Sequence, residues 1–597
     1  MSEAGATAPR VRALLDFGLP QDASHTRLRH AFEAPVRVLR ADRPEQVRPL
    51  FDAVQAEALA GRWCVGYLAY EAAPAFDAAL AVHAADGPLA WFAVFDAAQS
   101  WSSDDELPAG WDAGAGEAAR AHWADGPDLT AFTRDIDAIQ AAIAAGECYQ
   151  INHTARIDGE LRQGSALALH AALRRAQPGG YSAFIDTGER QLLSVSPELF
   201  FDWDGARLLA RPMKGTAARG ATPELDAAAA DALRASDKER AENVMIVDLI
   251  RNDLSRVARP HSVRVPRLFQ LEALPTVWQM TSDVTADSRA GTTLADVFAA
   301  LFPCGSITGA PKVQAMRLIR QLEPGPRGAY CGAIGVVRPG GHAIFNVGIR
   351  TVTARGSDLS CGIGSGITAG ATAEGEWREW RHKRAFLERA SEPFELLETL
   401  ALQDGVPRHI DLHLARLRRA ARHFGYPCDE AEVRAGLAAL AARHPAGAWR
   451  VRLLLDCAGR LQAQAFALEP SPAEVVLALA PGPFAQADSE FVRYKTTRRA
   501  HYDAAAPAQP GVFDAILWNE RGELTECTRG NLALCLDGRW LTPALSSGLL
   551  DGVGREVALR AGRLHEAVLK VDDLDRASGL AFVNSLRGWI PARLAST

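Results

Sequence analysis

The stretch Phe302-Pro-Cys-Gly-Ser-Ile-Thr-Gly-Ala-Pro-Lys312 has the composition of an anion-binding loop. It places glycines and the hydroxyls of Ser306 and Thr308 before an apolar-periodic segment, so it is predicted to open a helix. Helix N-termini present unpaired N–H groups and partial positive charge, which favour a bound carboxylate or phosphate. Taken alone, a glycine-rich stretch is equally typical of a simple turn.

Two acidic pairs lie on either side of that loop. Glu239 and Glu242 form one pair, Glu376 and Glu379 the other, and both pairs fall in predicted helices. Residues three apart share a helical face, so two converging faces would bring these carboxylates together. Carboxylate and water oxygens are the ligands that Mg²⁺ prefers. The spacing alone also fits two solvated helix surfaces with local ion pairs.

Further polar groups follow strand-like runs. Glu198 ends Ser194-Val-Ser-Pro-Glu198, and Lys214 lies in Arg211-Pro-Met-Lys-Gly-Thr216. The stretch Cys361-Gly-Ile-Gly-Ser-Gly366 offers main-chain amides that could hold a carboxylate. Arg350 has the planar fork of donors that carboxylates prefer.

Together and in this order, these segments resemble the chorismate-utilising family, closely over about 130–388 and loosely before that. The resemblance implies one α/β domain over residues 1–388, a sandwich of two large antiparallel sheets with outer helices. It also implies a Mg²⁺ ion that holds a carboxylate of the substrate, chorismate. The matching metal-site residues are Glu239, Glu242, Glu376 and Glu379, and the matching substrate contacts are Ser306, Thr308, Tyr330, Arg350, Gly364 and Gly366.

Two positions separate the branches of that family. Isochorismate-forming members have a water-activating lysine where this chain has Gln150, so the resemblance implies ammonia as the nucleophile. Lys214 resembles the aminodeoxychorismate synthases, whereas anthranilate synthases typically carry alanine there. The implied chemistry is attack by Lys214 on ring carbon 2 while Glu198 protonates the departing 4-hydroxyl, followed by ammonia addition at carbon 4. Many relatives have a histidine near Gln279, which this chain lacks.

Composition bounds the partners and the location. A chain of 597 residues is too long for a single hydrophobic core, so at least two domains are expected. The net charge of -7, without a polybasic run, gives no sign of nucleic-acid binding. No apolar run approaches the roughly 20 residues that span a bilayer, and no secretory leader is recognisable, so a cytoplasmic protein with no membrane partner is expected. None of the nine cysteines lies in a Gly-x-Cys-x-Gly turn. Ammonia is therefore expected from a separate glutamine amidotransferase subunit.

The segment from residue 395 onward carries a second set of chemical groups, namely Arg416, Lys495, Glu526 and the turn Gly552-Val553-Gly554. A phosphorylated aldehyde cofactor requires such a lysine, acid and phosphate cradle. Each group alone is also typical of a surface charge or a loop. The ordered set resembles the fold-type IV pyridoxal-phosphate enzymes, which include aminotransferases and aminodeoxychorismate lyase.

That second resemblance covers about 395–597. The roles it implies are Lys495 for the Schiff base, Glu526 for the pyridine nitrogen, and Arg416 with the amides of Gly552, Val553 and Gly554 for the phosphate of pyridoxal 5'-phosphate. Relatives usually carry threonine where Gly554 stands. The segment 584–588 resembles the lyase subgroup more than the aminotransferases. The resemblance also implies a homodimer formed through this domain.

The two resemblances together imply a two-step enzyme with domains 1–388 and 395–597. The first domain would aminate chorismate to 4-amino-4-deoxychorismate, and the second would eliminate pyruvate to give 4-aminobenzoate for folate biosynthesis. Two alternatives stay open: an anthranilate synthase-like subunit fused to a fold-type IV aminotransferase, and a regulatory or scaffolding protein with one inactive domain. Lys214 and the segment 584–588 favour the two-step enzyme.

Overall fold

The chain divides between Pro393 and Phe394 in the computed structural model, which gives the units Met1–Pro393 and Phe394–Thr597. The structure describes residues 11–20, 26–101, 108, 111, 118–219, 223–274, 277–507 and 509–595. Each unit has hydrophobic clusters of its own. Within these ranges, no helix combines the length and the apolar character needed to cross a membrane.

The first unit alternates strands and helices. Its strands are β1 (Arg12–Gly18), β2 (Arg27–Glu33), β3 (Arg37–Ala41), β4 (Trp63–Leu68), β5 (Ala90–Phe95), β6 (Gln99–Ser100), β7 (Arg120–Trp123), β8 (Gln150–Gln163), β9 (Tyr181–Asp186), β10 (Gln191–Ser196), β11 (Leu199–Trp203), β12 (Arg207–Arg211), β13 (Met213–Ala218), β14 (Arg264–Ala273), β15 (Val277–Asp287), β16 (Gly309–Ala310), β17 (Ala333–Val337), β18 (Ala343–Val347), β19 (Thr351–Arg355) and β20 (Asp358–Thr368). Its helices are α1 (Pro44–Leu59), α2 (Leu129–Ala144), α3 (Ala166–Ala176), α4 (Pro223–Ala235), α5 (Asp237–Ser255), α6 (Leu294–Leu301), α7 (Lys312–Leu322) and α8 (Ala373–Ser391), with short 3-10 helices at Tyr70–Ala75 and Gly305–Ile307.

Two antiparallel sheets form the centre of the first unit. One has the order β16-β8-β20-β19-β10-β9-β1-β2-β6, with β7 also paired to β8; the other has the order β13-β15-β12-β11-β18-β17-β4-β5-β3, with β14 paired to β15. Leu15 and Ala183 of the first sheet meet Val65 and Ile334 of the second in one buried cluster. Helices α2, α3, α7 and α8 share a cluster with the first sheet, and α1, α5 and α6 share one with the second. The predicted two-sheet sandwich with outer helices is confirmed.

Four phenylalanine rings join the second sheet to two of its helices. The ring of Phe298 in α6 lies 4.3 Å from that of Phe51 in α1, 5.2 Å from Phe201 in β11 and 5.1 Å from Phe345 in β18, measured between centroids. All four side chains are fully buried. Burying one such ring contributes about 1.5–3 kcal/mol. Phe298 is therefore the point at which two helices and two strands are held together.

Side-chain caps set where the two acidic helices begin. The Ser236 hydroxyl accepts from the N–H of Glu239 (3.3 Å) at the start of α5, and the Thr372 hydroxyl accepts from the N–H of Gly375 (3.2 Å) at the start of α8. Glu239 and Glu376 therefore lie in first helical turns. Carboxylates are favoured there because their negative charge interacts favourably with the positive end of the helix dipole.

The second unit contains two smaller sheets. Its strands are β21 (Leu396–Gln403), β22 (Val406–Pro407), β23 (Ala448–Leu455), β24 (Leu461–Ala467), β25 (Val475–Leu479), β26 (Asp514–Trp518), β27 (Leu524–Cys527), β28 (Asn531–Leu536), β29 (Arg539–Pro543), β30 (His565–Ala567), β31 (Gly579–Asn584) and β32 (Gly588–Leu594). Its helices are α9 (Ile410–Phe424), α10 (Glu430–Arg443), α11 (Glu490–Arg493), α12 (Ala500–Ala504), α13 (Val553–Arg560) and α14 (Asp573–Arg576), with a 3-10 helix at Leu545–Ser547.

The two sheets of the second unit differ in strand direction. The order β22-β21-β23-β24 is antiparallel and shares a buried cluster with α9 and α10. The order β27-β26-β25-β32-β31-β28-β29-β30 is mixed, because β25 runs parallel to β26 and β32, and β29 parallel to β30. Both units are thus mixed α/β structures, as predicted.

Replacing Phe298 by Ala should lower the free energy of unfolding of the first unit by about 3–5 kcal/mol, because a cavity opens where the four rings meet. Denaturant unfolding followed by tryptophan fluorescence measures this change. The control is Leu59→Ala on α1, since Leu59 is 63% exposed and its loss should change the free energy by less than about 1 kcal/mol. Equal effects of the two substitutions would show that the ring cluster does not hold these elements together.

Candidate active sites

Lys214 lies on β13, and its amine is at the centre of the first site. Its Nζ is 3.5 Å from Oε2 of Glu242, and the side chain is 17% exposed. A Cβ added to Gly366 would lie 2.7 Å from this Nζ and 3.1 Å from Nε2 of Gln150. The lysine amine therefore occupies the space that a side chain at 366 would need. Both polar atoms of the Gln150 amide are buried without a hydrogen-bond partner among the described residues, so they can serve a ligand.

Glu198 lies between β10 and β11 and is buried. Oε1 of this carboxyl accepts a 2.8 Å hydrogen bond from the hydroxyl of Ser306. Burial raises the pKa of Glu198 to about 7, although the hydrogen bond from Ser306 and the charge of Lys214 act in the opposite direction. A carboxyl with such a pKa can carry a proton at neutral pH, which is what a general acid requires.

The glycine-rich stretch leads into α7, as predicted, but its hydroxyls lie before the helix cap. It forms the 3-10 turn at Gly305–Ile307 and strand β16, and α7 begins only at Lys312, after Pro311 in the N-cap position. The prediction that the hydroxyls of this stretch lie at the helix N-terminus is therefore wrong. The Thr308 hydroxyl instead donates to the Cys304 carbonyl (3.1 Å) and closes the turn.

Arg350 and Tyr330 lie next to the glycine strand β20. The Tyr330 hydroxyl would be 3.2 Å from a Cβ on Gly364. The Arg350 guanidinium lies 5.0 Å from the Phe386 ring centroid and donates to Oε1 of Gln177 (3.2 Å). Burial lowers the pKa of Arg350 to about 10, and within the described ranges no carboxylate pairs with it. A buried guanidinium of this kind favours a ligand carboxylate.

One edge of β20 is open beside the site. Its pairing with β19 ends at Cys361, whereas its pairing with β8 continues to Thr368. The carbonyl of Gly364 accepts from Nζ of Lys383 (3.0 Å), which places the main-chain groups of Gly364 on the side away from β8. Because N–H and C=O of one strand residue point to the same side, the Gly364 N–H and, two residues on, that of Gly366 also face the open edge.

The acidic helices face each other across Lys214. Burial and the charge of Glu242 raise the pKa of Glu239, and the charge of Glu379 raises it further. Burial also raises the pKa of Glu376, which accepts from the Ser365 hydroxyl at 2.5 Å. Burial acts in the same direction on Glu379, but its 2.7 Å ion pair with Lys383 holds the pKa of Glu379 below the usual value.

This donor set fits a magnesium ion with few protein ligands. In the described part of the chain, no three His, Cys, Asp or Glu side chains lie close enough to form a complete metal cage. Mg²⁺ usually keeps several waters and takes one or two carboxylates plus ligand oxygens, so such a cage is not required. Burial is the main cause of the raised pKa values of Glu239 and Glu376, and the neighbouring carboxylates add to it, so a divalent cation would favour their charged forms.

Lys383 and Ser365 were missed by the sequence reasoning, although both contact the acidic helices. Lys383 follows Glu379 by four residues on α8, a spacing typical of helical ion pairs that the sequence does display. The bond from Ser365 to Glu376 joins β20 to α8 and could not be recognised from spacing.

In the second unit, Lys495 is surrounded by charged groups. Burial lowers the pKa of Lys495 to about 7, and the charges of Arg499 and Arg416 lower it further, while Glu398 and Glu526 act in the opposite direction. A lysine with this pKa is largely neutral just above pH 7 and can react with an aldehyde. Arg499 was not predicted, because its influence depends on the fold around Lys495.

Glu526 on β27 is buried and hydrogen-bonded. Its Oε1 accepts from the Tyr502 hydroxyl (2.6 Å) and from the N–H of Leu550 (3.2 Å). Burial raises the pKa of Glu526 to about 7 against the opposing effects of these bonds and of Lys495. A cationic ring nitrogen next to this carboxyl would favour its charged form, so the residue suits a protonated pyridine.

Arg416 on α9 is held beside the glycine turn. Its Nε and Nη2 donate to the two carboxylate oxygens of Glu398 (2.9 and 2.7 Å), and its Nη1 donates to the Asp551 carbonyl (3.2 Å). The predicted phosphate contact is therefore adjacent to the turn, but its fork is occupied by Glu398. That acid also accepts from Nδ1 of His413 (2.6 Å), a network the sequence did not suggest.

The glycine turn leaves no room for a side chain at position 552 or 554. Gly552 is the N-cap of α13, and Val553 is the first helical residue. A Cβ on Gly552 would lie 1.9 Å from Oδ1 of Asn531, and one on Gly554 would lie 2.4 Å from the main-chain carbon of Asn584. The first N–H groups of a helix have no acceptor within it, so this N-terminus suits a phosphate. Close packing against Asn584 explains why glycine replaces the threonine of relatives at 554.

Comparison with known proteins identifies the first unit. Residues 20–389 match the family model described as chorismate binding enzyme. The chain belongs to the chorismate binding enzymes. Residues 395–595 match the model described as amino-transferase class IV. Both resemblances inferred from the motifs are confirmed by these matches.

Curated relatives of this chorismate binding enzyme align over part of its length. Aminodeoxychorismate synthase component 1 of Klebsiella aerogenes is 46% identical over 241 residues, which are 40% of this chain and 53% of that protein. Aminodeoxychorismate synthase of Streptomyces griseus is 42% identical over 265 residues, 44% of this chain and 36% of that protein. The chain spans about half or less of the length of these relatives.

A solved structure shares the fold of the chorismate binding unit. Anthranilate synthase component I from Streptococcus pneumoniae TIGR4 has a TM-score of 0.52 and 21% identity, covering 65% of this chain and 95% of that one. This likeness concerns the fold alone.

The cofactor-free full-length protein should bind added pyridoxal phosphate faster as the pH rises through about 7, because the neutral form of Lys495 increases there. Visible absorbance of the bound cofactor in stopped-flow mixing measures the rate. The second unit has one other lysine, the half-exposed Lys570, which provides a matched control. Lys495→Ala should lose the absorbance and Lys570→Ala should keep it. A rate that rises only near the ordinary lysine pKa of about 10.4 would contradict the lowered pKa of Lys495.

Proposed function

We propose that the chain produces 4-aminobenzoate in two steps, one in each unit. Chorismate and ammonia would give 4-amino-4-deoxychorismate and water, and that product would give 4-aminobenzoate and pyruvate. The observation that carries the proposal is the amine of Lys214, which lies against Gly366 and 3.5 Å from Glu242. The names of the Klebsiella and Streptomyces relatives support amination at ring carbon 4.

In the first step, Nζ of Lys214 would form a bond to ring carbon 2. The ring double bonds shift, the bond between carbon 4 and its hydroxyl oxygen breaks, and Glu198 gives a proton so that water leaves. Ammonia then bonds to carbon 4, and the bond between carbon 2 and Nζ breaks. Glu198 can provide this proton because its pKa is raised. Lys214 must lose a proton before it attacks, and Glu242 is the nearest carboxylate that could accept it.

Substrate carboxylates would be held by groups that have no competing anion. Arg350 offers a buried guanidinium, and Gly364 and Gly366 offer main-chain N–H groups at the open edge of β20. Mg²⁺ would be held by carboxylates among Glu239, Glu242, Glu376 and Glu379 and would neutralise a substrate carboxylate. Those four residues otherwise keep Lys214 surrounded by negative charge.

Ammonia would come from a separate glutamine amidotransferase subunit. The relative from Klebsiella is named component 1, which supports an enzyme of more than one subunit. No cysteine of this chain has the sequence context of a glutaminase nucleophile. The unpartnered Gln150 amide next to Lys214 offers a donor and an acceptor to a small polar nucleophile.

In the second unit, Lys495, Glu526, Arg416 and the N-terminus of α13 would hold pyridoxal phosphate. When bound, this cofactor withdraws electrons from the substrate amine and so acidifies the neighbouring C–H bond. Lys495 would remove the proton at ring carbon 4, since its pKa of about 7 suits proton transfer. The bond between carbon 3 and the ether oxygen breaks, and the released enolpyruvate takes up a proton to become pyruvate. A homodimer through this unit stays a prediction.

Lys214→Ala should abolish the ammonia-dependent conversion of chorismate while the second unit still releases pyruvate from added 4-amino-4-deoxychorismate. Mass spectrometry of the aromatic and dihydroaromatic products measures both steps. The matched control is Lys238→Ala, because Lys238 lies on α5 and is 63% exposed. That variant should keep both reactions.

Two results would contradict parts of this function. Normal 4-amino-4-deoxychorismate formation by Lys214→Ala would exclude the lysine as nucleophile. Release of 2-aminobenzoate by the unmodified protein, with amino-group transfer in place of pyruvate release, would favour the anthranilate synthase and aminotransferase alternative.

Glu242→Ala should weaken the dependence of the first step on Mg²⁺, because one of the metal-site carboxylates is removed. Titration of the initial rate with Mg²⁺ measures this, and the apparent binding constant should weaken by at least about tenfold. Glu374→Ala is the control, since Glu374 is 84% exposed in the first turn of α8. Identical titration curves for both variants would show that Glu242 does not take part in metal binding.

A further inference from the structure

Lys214 and Gly215 form a bulge in β13. In the register with β15, Met213 lies opposite Thr281 and Thr216 lies opposite Gln279. Two residues of β13 therefore face the single residue Met280. A bulge of this kind re-aims side chains and leaves main-chain groups outside the regular ladder. Gly215 has a φ of +98°, a conformation that suits glycine.

Two side-chain amides donate hydrogen bonds to the main-chain carbonyls of the bulge. Nδ2 of Asn243 on α5 donates to the Lys214 carbonyl (3.3 Å), and Nε2 of Gln279 on β15 donates to the Gly215 carbonyl (2.8 Å). Main-chain carbonyls that leave a sheet ladder need other donors, and leaving one unsatisfied in a buried position is costly. These two amides thus provide the partners that the neighbouring strand does not.

The other ends of both amides are also bound. Oδ1 of Asn243 accepts from the Ser282 hydroxyl (2.7 Å), which itself accepts from the N–H of Phe269 (3.1 Å). Oε1 of Gln279 accepts from the Thr216 hydroxyl (3.0 Å). Asn243 and Ser282 are buried, so the bond between them is shielded from water, whereas Gln279 is half-buried and Thr216 is exposed. Each amide is therefore held in one orientation.

The bulge also determines which acids lie near Lys214. The main-chain N–H of Met213 acts on the carboxyl of Glu198, which precedes β11, and favours its charged form. A Cβ on Gly215 would lie 3.3 Å from Oε2 of Glu239. Lys214, between these two contacts, has Glu242 3.5 Å from its amine. A shift of the bulge would move the amine relative to all three carboxyl groups at once.

We propose that Asn243 and Gln279 are positioning residues that lock the bulge and thereby aim the Lys214 amine. The proposal rests on the proposed role of Lys214 as nucleophile. Gln279 stands near the position of a histidine in many relatives, and its carboxamide serves Gly215 and Thr216 together through one donor and one acceptor. In this chain the position supports the main chain around the nucleophile.

The test compares Gln279→Met with Gln270→Met in the full-length protein. Methionine keeps the length of glutamine but removes its side-chain hydrogen bonds. Gln270 is an exposed residue of β14 whose side chain, among the described residues, has only a 3.4 Å bond to the Leu268 carbonyl. In Gln279→Met, kcat of ammonia-dependent amination should fall roughly ten- to hundredfold, because a small displacement of a reacting group has that effect. KM for chorismate should change by less than about twofold, since the carboxylate contacts are elsewhere. Gln270→Met should leave both constants unchanged.

A second measurement reports on the lysine without any turnover. Labelling by an amine-reactive reagent, followed by peptide mass spectrometry, gives the reactivity of Lys214 relative to the exposed Lys238. This ratio should rise severalfold in Gln279→Met, because the amine is released from its place against Gly366. Thr216→Val removes only the hydroxyl bond to Gln279 and should change kcat and labelling in the same directions by less. If Gln279→Met does not fold, the same two measurements on Thr216→Val test the proposal.

The outcomes separate this proposal from the proposed function. Unchanged labelling and unchanged kcat in Gln279→Met, with Lys214→Ala inactive, would overturn the positioning role and leave the nucleophile in place. Changed labelling in Gln279→Met, with Lys214→Ala still active in amination, would support the positioning role and exclude the nucleophile. A rise in KM with unchanged kcat would assign Gln279 to substrate binding and overturn the proposal.

Discussion

Charge balance around the Lys214 amine is the constraint on which the first unit depends. The acidic helices α5 and α8, the glycine strand β20 and the acid Glu198 all approach one ammonium group. Without it, burial and mutual repulsion would further disfavour the charged carboxylates. Even with it, burial and the neighbouring carboxylates keep the pKa values of Glu239 and Glu376 above the usual value. The acidic side chains therefore suit a cation, whereas Arg350, which no carboxylate pairs with among the described residues, suits an anion.

In the second unit, the charges that act most strongly on Lys495 are positive, whereas those around Lys214 are negative. Lys495 has Arg499 and Arg416 as its strongest charged neighbours, so its amine is driven towards the neutral form. Arg416 is in turn neutralised by Glu398, whose pKa is held at about 2 by this arginine and by His413 despite burial. The proposed reaction of Lys495 with an aldehyde would benefit from this arrangement. The two lysines thus have different surroundings because their proposed reactions differ.

The fold and the chemical groups could be predicted, but many of the contacts could not. Short motifs indicated Glu198, Lys214 and Gly366 because each has its own local pattern. The bond from Ser306 to Glu198 joins residues 108 positions apart, and no local pattern encodes it. Ser306 and Thr308 lie in a turn before α7 because Pro311, and not a hydroxyl residue, occupies the N-cap position of that helix. Arg499 and Lys383 gain their importance from neighbours in space, so spacing alone could not reveal them.

Two departures from the pattern of relatives have local physical causes. Gly554 cannot carry a side chain because the main chain of Asn584 lies against it, in the same segment whose sequence resembles the lyases. Gln279 bonds to the bulge that holds Lys214, since its carboxamide donates to the Gly215 carbonyl and accepts from the Thr216 hydroxyl. In both places the substitution matches the course of the neighbouring main chain. Main-chain geometry therefore accounts for these two departures, while the side chains of Lys214 and Lys495 supply the proposed chemistry.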